Sequence, residues 1–385
     1  MFSFIQLIIF IIIFGTFIYY QKDKIIDKFM SQYSNSNLNL EGFIGGVSNL
    51  FSLEKPMIIS NEIDISSKNT PIITLSADSN FKNQVSIYLQ NLAPMRQREE
   101  ASYSVSSLND VNDKKVDLMV CTEDLVYNAV TGKKPFLKPF KNIRFVAGLF
   151  YETFILLTYP DAGINSWKDI KGKIIGFPSK ESGSFLNGSV IAQVYGYEAG
   201  KDFRYINVDS MNRLSNLFFE KKIDAMYLTT SNKNPYLLNL AKKMSLKFIG
   251  TNDIDEKILK TYFPCSVVKY INTNNYYTNI NTSSFIKTHA TRAVLVVNKD
   301  LNDEYIYNLA KSLIQKAEEL KNMSNQYLYN RDKLNLIEDA FMPSEMINIY
   351  DKIEYHPGAI KYYNELYDQF NQPSENPSNF LENNY

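Results

Sequence analysis

Ser182-Gly183-Ser184 is the stretch of this chain with the clearest binding chemistry. A short loop that presents backbone N–H groups at a helix N-terminus, with two hydroxyls beside it, favours an anion such as a carboxylate through hydrogen bonds and the helix dipole. The same residues serve equally well as an ordinary cap, with Ser184 satisfying the first turn of the helix. Thr229, Thr230 and Ser231 follow the apolar run Ile223 to Leu228, at the end of an expected strand, where ligands sit in open α/β sheets. Thr122 and Asp124 follow a second run, Val116 to Val120, and fall in such a cleft or at a helix cap. Glu152, like Asp124, is a carboxylate that need only cap or orient.

Catalysis has no comparable constellation. The only histidines, His289 and His356, are far apart, and His356 sits in a turn motif with Pro357 and Gly358. Cys121 and Cys265 are distant from each other and read as small buried hydrophobes, neither a disulfide framework nor a metal cluster. With no Gly-rich phosphate loop, no metal-ligand spacing and no nucleophile–base pair, the chain is expected to be neither an enzyme nor a holder of metal or cofactor. Equal numbers of basic and acidic side chains, 41 of each, leave no net field for nucleic acid.

The elements that must position these residues alternate in type. Ile72 to Leu75 is an expected strand, followed by polar residues and a helical pattern through Val85, Ile87 and Leu89. Val116 to Val120 leads into a helix over Thr122 to Ala129. Ile143 to Ala147 and Phe154 to Thr158 are two short strands, and Tyr159 to Gly163 is a turn. The same grammar restarts with a short helix ending at Gly172, a strand over Ile174 to Phe177, and a helix from the Ser182 loop to about Tyr195. Ile206 to Val208, Met211 to Glu220 and Ile223 to Leu228 continue as strand, helix and strand. Ala293 to Val297 is a β-branched run, and Asn302 to Lys321 is a helix with Ile306, Leu309, Ala310, Leu313 and Ile314 at helical spacing.

Strands alternating with helices predict an α/β fold with a mostly parallel sheet covered on both faces. The order implies a first lobe over 71–160, a second over 161–289, and a return to the first over 290–370. Two strands connecting two lobes make a hinge with a cleft between them.

Several short motifs together resemble the TAXI-type solute-binding proteins of tripartite (TRAP) transporters. They are Val116 to Val120 with Asp124, Tyr127 and Gly132; Phe145 to Phe150 with Glu152; Gly163-Ile164 before Trp167 to Lys173; Ser182-Gly183-Ser184; Lys222 to Ala225 with Asn234-Pro235; and His356 to Ala359 with Tyr362-Tyr363. The likeness spans Ile72 to Tyr363. It implies a type II, periplasmic-binding-protein-like clamp that takes a small carboxylate-bearing solute, an amino acid or dicarboxylate, and hands it to a membrane permease. By the same likeness, the ligand would lie among Ser76, Ala77, Thr122, Asp124, Glu152, Ser182, Gly183, Ser184, Thr230 and Ser231. Two departures limit what is inherited. The segment Ser76 to Asn83, Gly-rich and Tyr-containing in the family, has no glycine here, and Thr122 stands where a Gln is usual. Close backbone approach and ligand identity therefore do not carry over, and a membrane-displayed recognition or decoy module that keeps the fold is the alternative.

Phe2 to Tyr20 is nineteen residues without a charge. As a helix it reaches roughly 28 Å, close to a bilayer's hydrocarbon thickness, so residues 1–21 are expected to be an uncleaved transmembrane anchor. A Ser- and Asn-rich linker runs over 22–70, and 371–385 is an expected disordered tail. Lys22, Lys24 and Lys28 favour a cytoplasmic flank, whereas the role implied by resemblance places the lobes outside the cytoplasm.

Overall fold

The computed structural model of the chain describes residues 70–76, 80–231, 234–251, 253–273, 285–317, 319–320 and 352–371. The expected anchor over 1–21, the linker up to residue 69, Ala77 and the tail beyond residue 371 lie outside them. Among the described residues, no helix is long and apolar enough to cross a membrane.

Two long strands organise the molecule. β4 (Ile143–Thr158) and β10 (Phe285–Asn298) run antiparallel, paired from Ala290 opposite Thr153 to Asn298 opposite Ile143. At one end they join β1 (Ile72–Ile73), β2 (Arg96–Gln97) and β3 (Leu118–Thr122) in the order β2-β1-β3-β10-β4. At the other end β4 pairs with β7 (Ala225–Thr230), which leads to β5 (Ile174–Phe177) and β6 (Arg204–Asn207). β8 (Lys247–Ile249) adds to β4, and β9 (Val267–Asn272) adds to β10. The expected first and second lobes thus fall on the two sides of one sheet, joined through β4 and β10.

Two expectations are corrected. The short strands over Ile143 to Ala147 and Phe154 to Thr158 are one strand, because the polar residues between them, Tyr151 to Thr153, keep their ladder to β10. The sheet is mixed and not mostly parallel. β1 with β2 and β3, and β5 with β6 and β7, are parallel, while the ladders that β4 and β10 form with other strands are antiparallel; Phe145 of β4 adds an isolated parallel bridge to Tyr355.

The first lobe's sheet is buried on both faces, and the alternation of its side chains divides two cores. Leu118 and Val120 of β3, with Ala293, Leu295 and Val297 of β10, pack against α1 (Asn80–Leu89), α8 (Asp303–Gln315) and α9 (Pro357–Asn371). Met119, Cys121, Val294 and Val296 face α2 (Ser104–Asn112) and α3 (Glu123–Thr131). This two-sided cover is why these strands read as unbroken apolar runs. The five apolar positions expected on α8 are all buried.

The second lobe has its own core, which includes Trp167, stacked on Tyr195 and edge-on to Tyr227. Its helices are α4 (Gly183–Val194), α5 (Met211–Phe219), α6 (Pro235–Ala241) and α7 (Glu256–Tyr262). Gly188 lets α4 lie directly on the sheet, since a Cβ there would come within 2.5 Å of Tyr227 and 2.6 Å of Phe177.

Candidate functional site

Where β4 and β10 pass between the lobes, both strands turn polar, and helix and strand ends from each lobe meet them. α3 begins at this crossing. Its first turn carries Glu123 and Asp124, which complement the helix dipole, and Gly132 ends it in the left-handed conformation. Asp124 Oδ1 accepts from Thr291 of β10 at 2.7 Å, and Thr291 is paired in register with Glu152 of β4. Glu123 Oε2 lies 3.0 Å from both Nε and a terminal nitrogen of Arg292. The β10–β4 register shifts between Arg292 and Val294, an irregularity of the kind that re-aims side chains.

Glu152 forms a second buried ion pair, 2.9 Å from the Nζ of Lys82 on α1. Two guanidinium or ammonium groups and three carboxylates are therefore buried around one crossing, held by opposite charges and hydroxyls as buried charge requires.

Thr122 closes β3 and occupies the N-cap position of α3 without capping it. Its Oγ1 is buried and has no hydrogen-bond partner among the described residues. From the other lobe Gly183 faces it, so that a Cβ on Gly183 would sit 3.7 Å from that hydroxyl.

The cap of α4 is Ser182, whose Oγ accepts from the Phe185 N–H, and not Ser184 as the capping alternative has it. Ser184 instead accepts from Thr229 N–H at 3.0 Å and donates to Thr229 C=O at 3.4 Å, tying α4 to β7. Thr229 Oγ1 is further held by Asn187 and Tyr227. Thr230 is paired in register with Thr153, beside Glu152, and Ser231 follows it, also buried. The helix's leading N–H groups at Gly183 and Ser184 precede the intrahelical ladder and point out of its positive end.

Ser76 lies at the margin. Its N–H donates to Asn83 Oδ1 at 2.6 Å and its C=O accepts from Asn83 Nδ2, so the segment after β1 is fastened beside Lys82 by a side chain, with no glycine. Ala77 is outside the described residues.

Lys82, Glu123, Arg292, Thr291 and Asn187 were not anticipated. Lys82 left a signal, since it shares a helical face with buried Val85 and Leu89. Arg292 left one too, as the charge placed directly before the apolar run Ala293 to Val297 of β10.

Neither thiol is poised as a nucleophile. Burial pushes the Cys121 thiol up to about 12 and the Cys265 thiol well above its ordinary value. Among the described residues there is no group of three or more His, Cys, Asp or Glu placed to hold a metal ion.

Residues 85–366 match the model of the NMT1-like family. No curated protein matches the chain. Among solved structures the chain is similar to the amino acid ABC transporter substrate-binding protein AbpA from Streptococcus pneumoniae bound to L-arginine, at 12% identity over 73% of this chain and 98% of that one, TM-score 0.39. It is similar also to the periplasmic aliphatic sulphonate binding protein SsuA from Escherichia coli, at 14% identity over 68% and 71%, TM-score 0.41. The arginine-bound form of truncated ArgBP from T. maritima is a third, at 13% identity over 66% and 96%, TM-score 0.40.

Proposed function

The chain belongs to the NMT1-like family, and from that premise we propose that it is a solute-binding protein that captures a small carboxylate-bearing solute between its lobes. The observation that carries this reading is the buried Thr122 hydroxyl, without a partner among the described residues, facing the α4 N-terminus of the opposite lobe. A carboxylate between them would take the leading N–H groups of α4 and the Thr122 hydroxyl, with the helix dipole favouring its charge. Thr230, Ser231 and Asp124 would orient the rest of an amino acid or dicarboxylate. No covalent step is involved. Delivery would be to a membrane permease of the TRAP type, with residues 1–21 as the tether and the lobes outside the cytoplasm.

One observation favours a second reading, the membrane-displayed module with altered binding. Lys82 and Glu152 already neutralise each other inside the crossing, which removes charge that a solute would otherwise meet.

Thermal unfolding of the full chain with amino acids and organic acids at millimolar concentration separates the two. A ligand at a hundredfold its Kd stabilises by about 2.7 kcal/mol, a shift of several degrees, by mass action. A flat response to every compound would remove the solute-binding reading and leave the display role.

A further inference from the structure

The lobes touch at a second place, at the start of α2 in the first lobe. Tyr103 occupies the N-cap position there with extended backbone and makes no side-chain cap bond, although Ser, Thr, Asp or Asn would satisfy the first N–H groups. The missing acceptor comes from the second lobe. Glu181, the residue just before the N-cap of α4, accepts the Val105 N–H on its carbonyl at 3.4 Å, and its carboxylate accepts from the Ser106 hydroxyl. Tyr103 OH donates in turn to the carbonyl and Oδ1 of Asp209, also in the second lobe, each at 3.3 Å. Below these contacts Leu186 of α4 packs, like Val105, against the first-lobe core that contains Leu108 and Val111.

We propose that Glu181 is a closure latch, a residue of one lobe that caps a helix of the other and thereby sets the balance between closed and open forms. The geometry supports a contingent contact. α2 has no side-chain cap of its own at this end, so the Val105 N–H gains a carbonyl, and the Ser106 hydroxyl beside the positive dipole end gains a carboxylate, only while the lobes are together. The Glu181 side chain is exposed, so water competes with the bond and its effect is modest. A net hydrogen bond of this kind shifts a two-state equilibrium by roughly three- to tenfold, enough to set the resting population and too little to lock it. Tyr103 with Asp209 is a weaker second strap. The latch goes beyond the solute-binding reading and does not depend on it, because no solute takes part.

The test is made on the full chain without solute. The native cysteines Cys121 and Cys265 are buried, so Leu137→Cys in the first lobe and Lys201→Cys in the second, both at exposed positions, take spin labels selectively. Electron–electron distance distributions then report closure. Glu181→Ala is expected to raise the long-distance over the short-distance population roughly three- to tenfold, with a smaller shift for Glu181→Gln, which keeps an acceptor but loses the charge. Ser106→Ala removes the same bond from the other side. The double variant Glu181→Ala with Ser106→Ala should shift no further than the larger single, as residues sharing one bond are not additive. Circular dichroism confirms that each variant is folded. An unchanged distribution for Glu181→Ala, or fully additive shifts in the double variant, would overturn the latch. Either result leaves solute binding untouched, because none is measured.

Discussion

Lys82 Nζ lies 2.9 Å from Glu152 Oε2, and this buried ion pair pins the first helix of one lobe to the strand that crosses into the other. Taking charges out of water is costly, and their mutual attraction only offsets that cost while both are present. Lys82→Met or Glu152→Leu should each lower unfolding stability by about 3–5 kcal/mol, read from urea midpoints. The double variant Lys82→Met with Glu152→Leu should recover most of the loss, since an apolar pair of similar volume carries no desolvation penalty. Additive losses in the double variant would show that each residue has a separate role.

Gly188→Ala tests how α4 is placed. The added methyl would meet Tyr227 and Phe177 rings at 2.5 and 2.6 Å, so either the rings or the helix must give. Overpacking of this kind costs about 1–3 kcal/mol. Because Ser182, Gly183 and Ser184 lead the same helix, the variant should also weaken any ligand held at its N-terminus. Unchanged stability would mean that the two rings move aside freely.

How far the fold was legible follows from where the signal lies. The α8 positions from Ile306 to Ile314 were readable because a 3.6-residue period survives in thirteen residues of helix. The two-residue strands β1 and β2 carry no period at all, and Arg96–Gln97 offers no apolar pattern to read. Tyr151 to Thr153, within the stretch between the two expected strands, interrupt the apolar pattern of β4 as a loop would, whereas the pairing that continues the strand comes from Ala290 to Arg292, far along the chain. The site divides in the same way. Hydroxyls after strand ends could be named from order alone, but Thr291 with Asp124 and Arg292 with Glu123 join residues separated by 167 and 169 positions, which only the folded sheet brings together.

The thiols give a prediction of reactivity. Both cysteines are buried, and burial pushes their protons on more tightly, Cys121 to about 12. The native chain should therefore show no reaction with a disulfide reagent at pH 8 on the minute scale, and two equivalents once unfolded in guanidinium. A fast native equivalent would place one thiol at an opening segment, and comparison of Cys121→Ser with Cys265→Ser would identify it.

His289 should make stability fall on mild acidification. Its ring is buried beside Thr251, which lies 2.8 Å from Nδ1, and burial with the nearby Lys260 and Lys287 holds its pKa at about 4 against an ordinary 6.5. The folded form therefore keeps the ring neutral where the unfolded chain protonates it. Between pH 6.5 and about 4 the unfolded state binds more protons, so stability rises with pH in that window, is lost as pH falls through it, and is flat above. His356 is shifted the same way by burial, opposed by Asp303, and adds a parallel slope. The lowered carboxyls of Asp161, Asp300 and Glu319 lose their contribution from their ordinary values, 3.8, 3.8 and 4.5, downward, so they overlap only the acid end of this window. His289→Asn puts an amide atom where Nδ1 sits and cannot titrate, so its urea midpoint should depend less on pH between 6.5 and 4.5 than that of the parent chain. Parallel curves for the two proteins would mean that the ring accepts a proton in the folded state without cost, and that the closed packing of β9, β10 and Thr251 around it opens in solution.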